Sequence, residues 1–379
     1  MNGTINPFYF RELPVDGPFC NREKELDELV RHGKSLANVV MFSPRRFGKT
    51  SLIRRVQRRL AEQGAITVYS QFFGVSSVED VAANLAREVF RVTHPQESLF
   101  NKAVRTIRSF RPILVMRPDE EKGFAVAVEL SQTTLSGADL LEDVMESLGK
   151  FISESGQLVH IALDEFQEIT ELPDALKIEG VLRQHIQRHQ AAYAFIGSRR
   201  RVLQGMFNDR QRPFFQSAIN YELQPLPREE FARFIAKLFS ARGKNCQAPV
   251  AEYLVDLVER FPYYSQKLAY FVFEISGKTV EEEDVKAGLT LLLREESSVF
   301  EAMLMGLAPQ QVALLRALAT QPTSSIFAQD YLRRHRLGSV GGTQGAKKKL
   351  VLLDLIEEGD KRNWRVVDPV FAKWLQGRY

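Results

Sequence analysis

Residues 43–50 read Ser-Pro-Arg-Arg-Phe-Gly-Lys-Thr and directly follow the apolar run Asn38-Val39-Val40-Met41-Phe42. A strand, a loop of the pattern G-x-x-x-x-G-K-[ST] and a helix together make a phosphate cradle. Here Ser43 stands at the first glycine, and Pro44, Arg45, Arg46 and Phe47 fill the variable positions. Gly48 lets backbone N–H groups close around a β-phosphate. Lys49 reaches the β- and γ-phosphates, and the Thr50 hydroxyl suits Mg²⁺. The helix expected from Ser51 to Leu60 directs its positive N-terminal end at the same phosphates. These residue types in this order predict binding of a nucleoside triphosphate such as ATP.

A second constellation lies downstream. The apolar run Gln157–Leu163 ends in Asp164-Glu165. An acid at the tip of a strand beside the phosphate loop can hold Mg²⁺ through its waters, which fits Asp164. A carboxylate directly after it can take a proton from an attacking water, which fits Glu165. The next apolar run, Ala192–Gly197, ends at Ser198, a polar residue placed to sense a γ-phosphate and position that water; a plain Gly-Ser turn is the alternative. Arg199, Arg200 and Arg201 follow, with Arg210 and Arg212 beyond. Any of them could stabilise transition-state charge, in cis or from a neighbouring subunit of a homo-oligomer.

The elements that must position these residues can be read from apolar patterning. Short, nearly all-apolar strands alternating with helical stretches predict a parallel sheet in a three-layer α/β sandwich of the P-loop NTPase type. Ile66–Phe73 reads as a second strand, residues 78–109 as helical, residues 137–154 as a helix, and Tyr221–Leu223 as the start of a last short strand. Residues 111–130 read as two strands around a charged turn, an insertion on the edge of the core. After Pro227 only helices are expected, forming a lid to about residue 305. Helices at 309–319, 325–335 and 346–356 and a hairpin around Trp364 then predict a winged helix-turn-helix. The expected domains are therefore 1–226, 227–305 and 306–379.

Charge supports a polyanion partner for the last of these. Residues 306–379 hold twelve Lys/Arg against six Asp/Glu, so they carry +6 while the rest of the chain carries −2 of the total +4. Lys347, Lys348 and Lys349 on the third helix and Arg362 in the wing are candidate phosphate contacts to double-stranded DNA. Winged helices also dock proteins, so a protein partner stays open. No apolar run approaches the ~18–20 residues that span a bilayer. The N-terminus lacks a basic region followed by an apolar one, so no secretory leader is expected. Cys20 and Cys246 are far apart and without metal-ligand spacing, which suits reduced thiols in a cytoplasmic protein. His185 and His189, at i and i+4, lie in a polar stretch without a third ligand nearby and read as a solvated helix face.

The strings FCNREKELDELV (19–30), FSPRRFGKTSLI (42–53) and HIALDEFQEI (160–169) together resemble an archaeal and bacterial ATPase family related to the STAND and Orc/Cdc6 branches of AAA+ proteins. AFIGS (194–198), RPFFQSAINYELQPL (212–226), FPYYSQKLA (261–269) and NWRVVDPVFAKWL (363–375) extend the resemblance along nearly the whole chain. It implies that Arg22 and Glu23 line an adenine pocket, that Pro262 contacts the base, and that Gln266 shares its helix. Ser43 departs from the pattern, and no arginine of the lid fits a second sensor. The function implied is an ATPase switch with a DNA-binding tail, or a signalling scaffold whose tail grips a protein.

Overall fold

Strands β1 (Val39–Phe42), β5 (Val159–Asp164) and β6 (Ala192–Gly197) are buried at every position, the pattern of strands covered on both faces. With β2 (Ile66–Gln71) and β7 (Ile219–Glu222) they form one five-stranded sheet in the order β2-β5-β6-β1-β7. Every pairing in it is parallel. The computed structural model describes residues 5–10, 17, 19–93, 114–119, 123–128, 137–359 and 362–377. Within these, two compact bodies separate.

The α/β body comprises residues 23–43 and 49–223. Parallel strands need crossovers, and helices Glu23–Lys34, Lys49–Ala61, Val78–Thr93, Gly137–Ser155, Ala175–Ile186 and Arg200–Asn208 supply the helical layers. The apolar core joins Val40, Val68, Leu148, Ile161, Leu182 and Phe195. The expected hairpin is present as β3 (Leu114–Asp119) and β4 (Gly123–Val128), an antiparallel pair separate from the main sheet. The helical expectation for residues 94–109 lies outside the described residues.

Two histidines in this body refuse a proton. Burial pushes His160 down to about 4. Burial and the neighbouring His185 do the same to His189, whose Nδ1 lies 2.6 Å from the Tyr193 hydroxyl. His185 is buried and His189 lies past the helix end at Ile186, so the solvated helix face expected for this pair is not what forms. An unfolded imidazole takes its proton near 6.5, so unfolding becomes coupled to proton uptake below that pH. Stability from His160 is thus complete above about pH 6.5 and is lost as pH falls toward 4, by about 3 kcal/mol. In urea titrations across that range, His160→Asn should show a shallower loss than the wild type; an identical slope would remove His160 as its source.

The helical body comprises the described residues of 1–22, the loop Pro44–Gly48 and residues 224–379. Helices Arg228–Ser240, Ala248–Leu257, Pro262–Ile275 and Glu282–Met305 come first, three of them with a proline at the N-cap or in the first turn, where a missing N–H costs little. This stretch is not purely helical, because β8 (Asn245–Cys246) and β9 (Thr279–Val280) pair in parallel. Next come helices Pro309–Thr320, Gln329–Arg334 and Val340–Leu352, the antiparallel pair β10 (Ile356–Glu358) and β11 (Trp364–Val366), and helix Pro369–Gly377. One apolar cluster runs through all of them, from Phe239 through Phe300 to Phe371 and Trp374. No described helix is long and apolar enough to cross a membrane.

The third helix of the tail starts at Val340 rather than Ala346 and ends at Leu352 rather than Ile356. By sequence, residues 338–345 read as a turn with Ser339 as a candidate N-cap, since each of Gly341, Gly342 and Gly345 costs a helix ~1 kcal/mol. Ser339 offsets this by capping the N-terminus, accepting from the Gly342 N–H at 3.2 Å. Thr343 is fully buried, its hydroxyl bonded to the carbonyls of Leu337 and Ser339.

Candidate active site

In a parallel sheet the carboxyl ends of the strands share one edge, and that edge is where ligands bind. β6 lies between β1 and β5, so the segments after Phe42, Asp164 and Gly197 emerge side by side. Helix Lys49–Ala61 starts with Lys49 and Thr50, the last two residues of the motif. Lys49 is buried, and its Nζ donates to the Ser43 carbonyl at 3.0 Å. The Thr50 hydroxyl donates to Asp164 Oδ2 at 2.7 Å. The loop hydroxyl and the strand-tip carboxylate are therefore in direct contact, the pair of oxygens a divalent cation would need.

Asp164 is held from three sides. Its Oδ2 also accepts from the Tyr69 hydroxyl at 2.6 Å, and its Oδ1 accepts from the Glu165 N–H at 2.9 Å. The Arg54 guanidinium lies 3.7 Å from the Tyr69 ring centroid. Neither Tyr69 nor Arg54 was singled out by sequence, because the strand carrying Tyr69 meets β5 only through tertiary pairing.

Glu165 takes a left-handed backbone conformation, φ 51°, which turns its carboxylate away from the strand direction. Its Oε2 accepts from Gln167 Nε2 at 2.5 Å and from the Ser198 hydroxyl at 3.1 Å. Gln167 is fully buried and also donates to Glu168 at 3.2 Å. A Cβ at Gly197 would stand 1.8 Å from Gln167 Oε1, so any larger residue there would displace this amide from its place. Sequence reasoning did not single out Gln167; only the fold brings its amide onto Glu165.

Beneath these side chains lies an aromatic floor. Phe166, the residue after Glu165, packs on Phe195, Phe214, Phe72 and Phe207 at centroid distances of 4.8, 5.4, 6.1 and 6.2 Å. Of the arginines after Ser198, Arg199 is ion-paired with Glu168 and Glu171 at 3.3 and 2.6 Å. Arg212 pairs with Glu179, a buried carboxyl that burial pushes up to about 7 against the pull of Arg212.

The structure thus brings together Ser43, Lys49, Thr50, Asp164, Glu165 and Ser198 within the α/β body; helix Lys49–Ala61 also carries Ser51. Arg22, Pro44, Arg45, Arg46, Phe47, Gly48 and Pro262 belong to the helical body. Gly48 has φ +89° and open space where a Cβ would be, the cradle conformation that glycine is needed for. Phe47 is buried edge-on against Phe261 at 4.8 Å, and Pro262 opens the following helix. Arg22 is buried. In the tail, Lys348, Lys349 and Arg362 are exposed, whereas Lys347 Nζ lies 3.7 Å from the Trp364 ring centroid.

Sheet order, loop, and helix-hairpin tail define the fold as that of P-loop ATPases of the Orc/Cdc6 kind with a C-terminal winged helix. Residues 298–377 match the family model described as a probable winged helix domain. Among solved structures, a Walker-type ATPase of Pyrococcus abyssi is similar over 98% of this chain and 99% of its own, with TM-score 0.70 and 18% identity. The Orc2 protein of Aeropyrum pernix, solved with ADPNP and ADP, matches over 97% of each chain with TM-score 0.59 and 15% identity. The Orc1 protein of the same organism, solved in complex with DNA, matches over 98% of this chain and 94% of its own, with TM-score 0.52 and 15% identity. A search of curated proteins finds no match.

Proposed function

We propose that the chain is a Mg²⁺-dependent ATPase that works as a molecular switch and binds double-stranded DNA through its winged helix. The observation that carries the catalytic part is the Glu165 carboxylate. It is held by Gln167 and Ser198 next to an Asp164 already bonded to Thr50 of the phosphate-loop helix. In this reading Glu165 accepts the proton of the attacking water, and Ser198 fixes the position of that carboxylate. Lys49 balances charge on the phosphate oxygens, while the backbone N–H groups of the Ser43–Ser51 segment bind them. Thr50 and Asp164 would hold Mg²⁺, which when bound neutralises phosphate charge. Arg22 and Pro262 are proposed to face the base, residues 1–226 to be the catalytic core, 227–305 a lid and 306–379 the reader.

The exposed Lys348, Lys349 and Arg362 support the DNA part, as does the DNA held by the Orc1 protein of the same fold. The position of Lys347 over Trp364 favours a second reading, in which the tail docks a protein and the basic surface is incidental. Replacing Lys347, Lys348 and Lys349 by alanine should weaken duplex binding at low salt. Each lost phosphate contact should also flatten the log–log salt slope by about 0.9. An unchanged slope would favour the protein-docking reading. The defining experiment is Mg²⁺-dependent ATP hydrolysis with and without duplex DNA at low salt. Hydrolysis that rises with DNA supports the whole proposal, hydrolysis indifferent to DNA supports only its catalytic half, and none overturns it.

A further inference from the structure

Arg46 sits at the middle of the phosphate loop with φ +65°, a conformation side-chain-bearing residues rarely adopt. Its guanidinium makes the contacts that hold it there. Nη1 is 3.2 Å from the buried Glu296 carboxylate, and the guanidinium carbon lies 4.1 Å from the Tyr263 ring centroid. The same Nη1 donates to the Tyr264 hydroxyl at 3.2 Å. That hydroxyl donates in turn to Asp368 Oδ2 at 2.5 Å. Asp368 Oδ1 accepts from the backbone N–H groups of Val370 and Phe371, both at 2.9 Å, and so caps helix Pro369–Gly377 of the winged helix. An unbroken run of hydrogen bonds therefore links a phosphate-loop side chain to the start of the tail's last helix.

Glu296 makes this link reversible. Leaving a buried carboxylate without a cation is strongly unfavourable, which would ordinarily freeze such a contact. Glu296 has a second cation, however: Lys267 Nζ donates to its other oxygen at 2.6 Å. Arg46 can leave without stranding it. Burial alone would raise Glu296, but the hydrogen bond from Lys267 and the charge of Arg46 outweigh this and keep it below the usual carboxylate range.

We propose that Arg46 is a positioning residue that couples the phosphate loop to the winged helix, exchanging Glu296 and Tyr264 for the phosphates of a bound nucleotide. The proposal rests on the nucleotide-binding reading of the loop. Once Arg46 turns to phosphate, the Tyr264 hydroxyl loses its donor and the cap at Asp368 is altered, so that loop occupancy reaches the tail through this contact.

The chain's two tryptophans, Trp364 and Trp374, both lie in the tail and make its fluorescence an internal reporter. Trp374 donates to Ser297 at 3.0 Å and stacks near Phe371, whose backbone N–H donates to the Asp368 cap. ATP binding would be measured directly by equilibrium dialysis in Mg²⁺, and tryptophan emission would be followed in parallel. The wild type should show an emission change with the same midpoint as binding. Tyr264→Phe keeps the ring but removes the joining hydroxyl. It should bind ATP within about threefold of the wild type while losing most of the emission change. Asp368→Asn keeps a capping oxygen and should behave alike, so a folding defect in one variant leaves the other as the test. A full emission change in either folded variant overturns the coupling, as does wild-type binding with no emission change. No binding by the wild type at all overturns the nucleotide reading first, and the coupling with it.

Discussion

Glu165→Gln should bind Mg²⁺–ATP with near-native affinity and hydrolyse it about 10²–10⁴-fold more slowly. Glutamine keeps the volume and length of the side chain, and its carbonyl oxygen can still accept from either Gln167 or Ser198, the two donors to Glu165 Oε2. It cannot accept a proton from water. Loss of turnover without loss of binding therefore isolates proton transfer from positioning, because positioning is largely retained. Single-turnover hydrolysis with parallel dialysis gives both numbers. Wild-type turnover would take the general-base role away from Glu165. An equal loss of binding would instead identify it as a structural support of Asp164, whose Oδ1 accepts from the Glu165 N–H.

Lys49→Ala should lower ATP affinity by at least about a hundredfold. Charge-assisted hydrogen bonds contribute about 1.5–3 kcal/mol each, and this ammonium would serve two phosphates. Its burial and its 3.0 Å bond to the Ser43 carbonyl place the charge at the mouth of the loop, where water competes little. Lys49→Met retains more of the stem that the alanine removes. It should show the same loss of affinity with a smaller loss of stability, which separates charge from packing. Unchanged affinity in both variants would end the assignment of residues 43–51 as a phosphate site.

Much of this was legible in the chain because it is written locally. A buried parallel strand is a short unbroken apolar run: β5 ends at Asp164, and Ser43 and Ser198 directly follow β1 and β6. The contacts that hold those residues were not legible. Gln167 reaches Glu165 over a short 3₁₀ turn, Tyr69 reaches Asp164 across a β2–β5 pairing, and Arg46 meets residues more than two hundred positions away. No sequence period encodes such encounters. Local propensity was misleading in the tail, where three glycines hid the first turns of helix Val340–Leu352. It was also off by two residues at β7, which starts at Ile219 on the sheet edge, where exposed polar positions blur the apolar pattern.

The five phenylalanines beneath Glu165 have a bearing on how such a chain can change over generations. Phe166 follows Glu165 directly, and Phe195 lies three residues before Ser198. The rings that stabilise the fold and the carboxylate that would do chemistry are thus mounted on the same few peptide units. A drift in ring size at Phe207 or Phe214, tolerable in an ordinary core, would here also move the acid relative to Thr50 and Lys49. With Glu165 in its proposed role, a change in these rings would alter stability and turnover together. Lineages adapting to a new temperature or partner would find their freedom at the outer helices and the tail, leaving the aromatic floor unchanged.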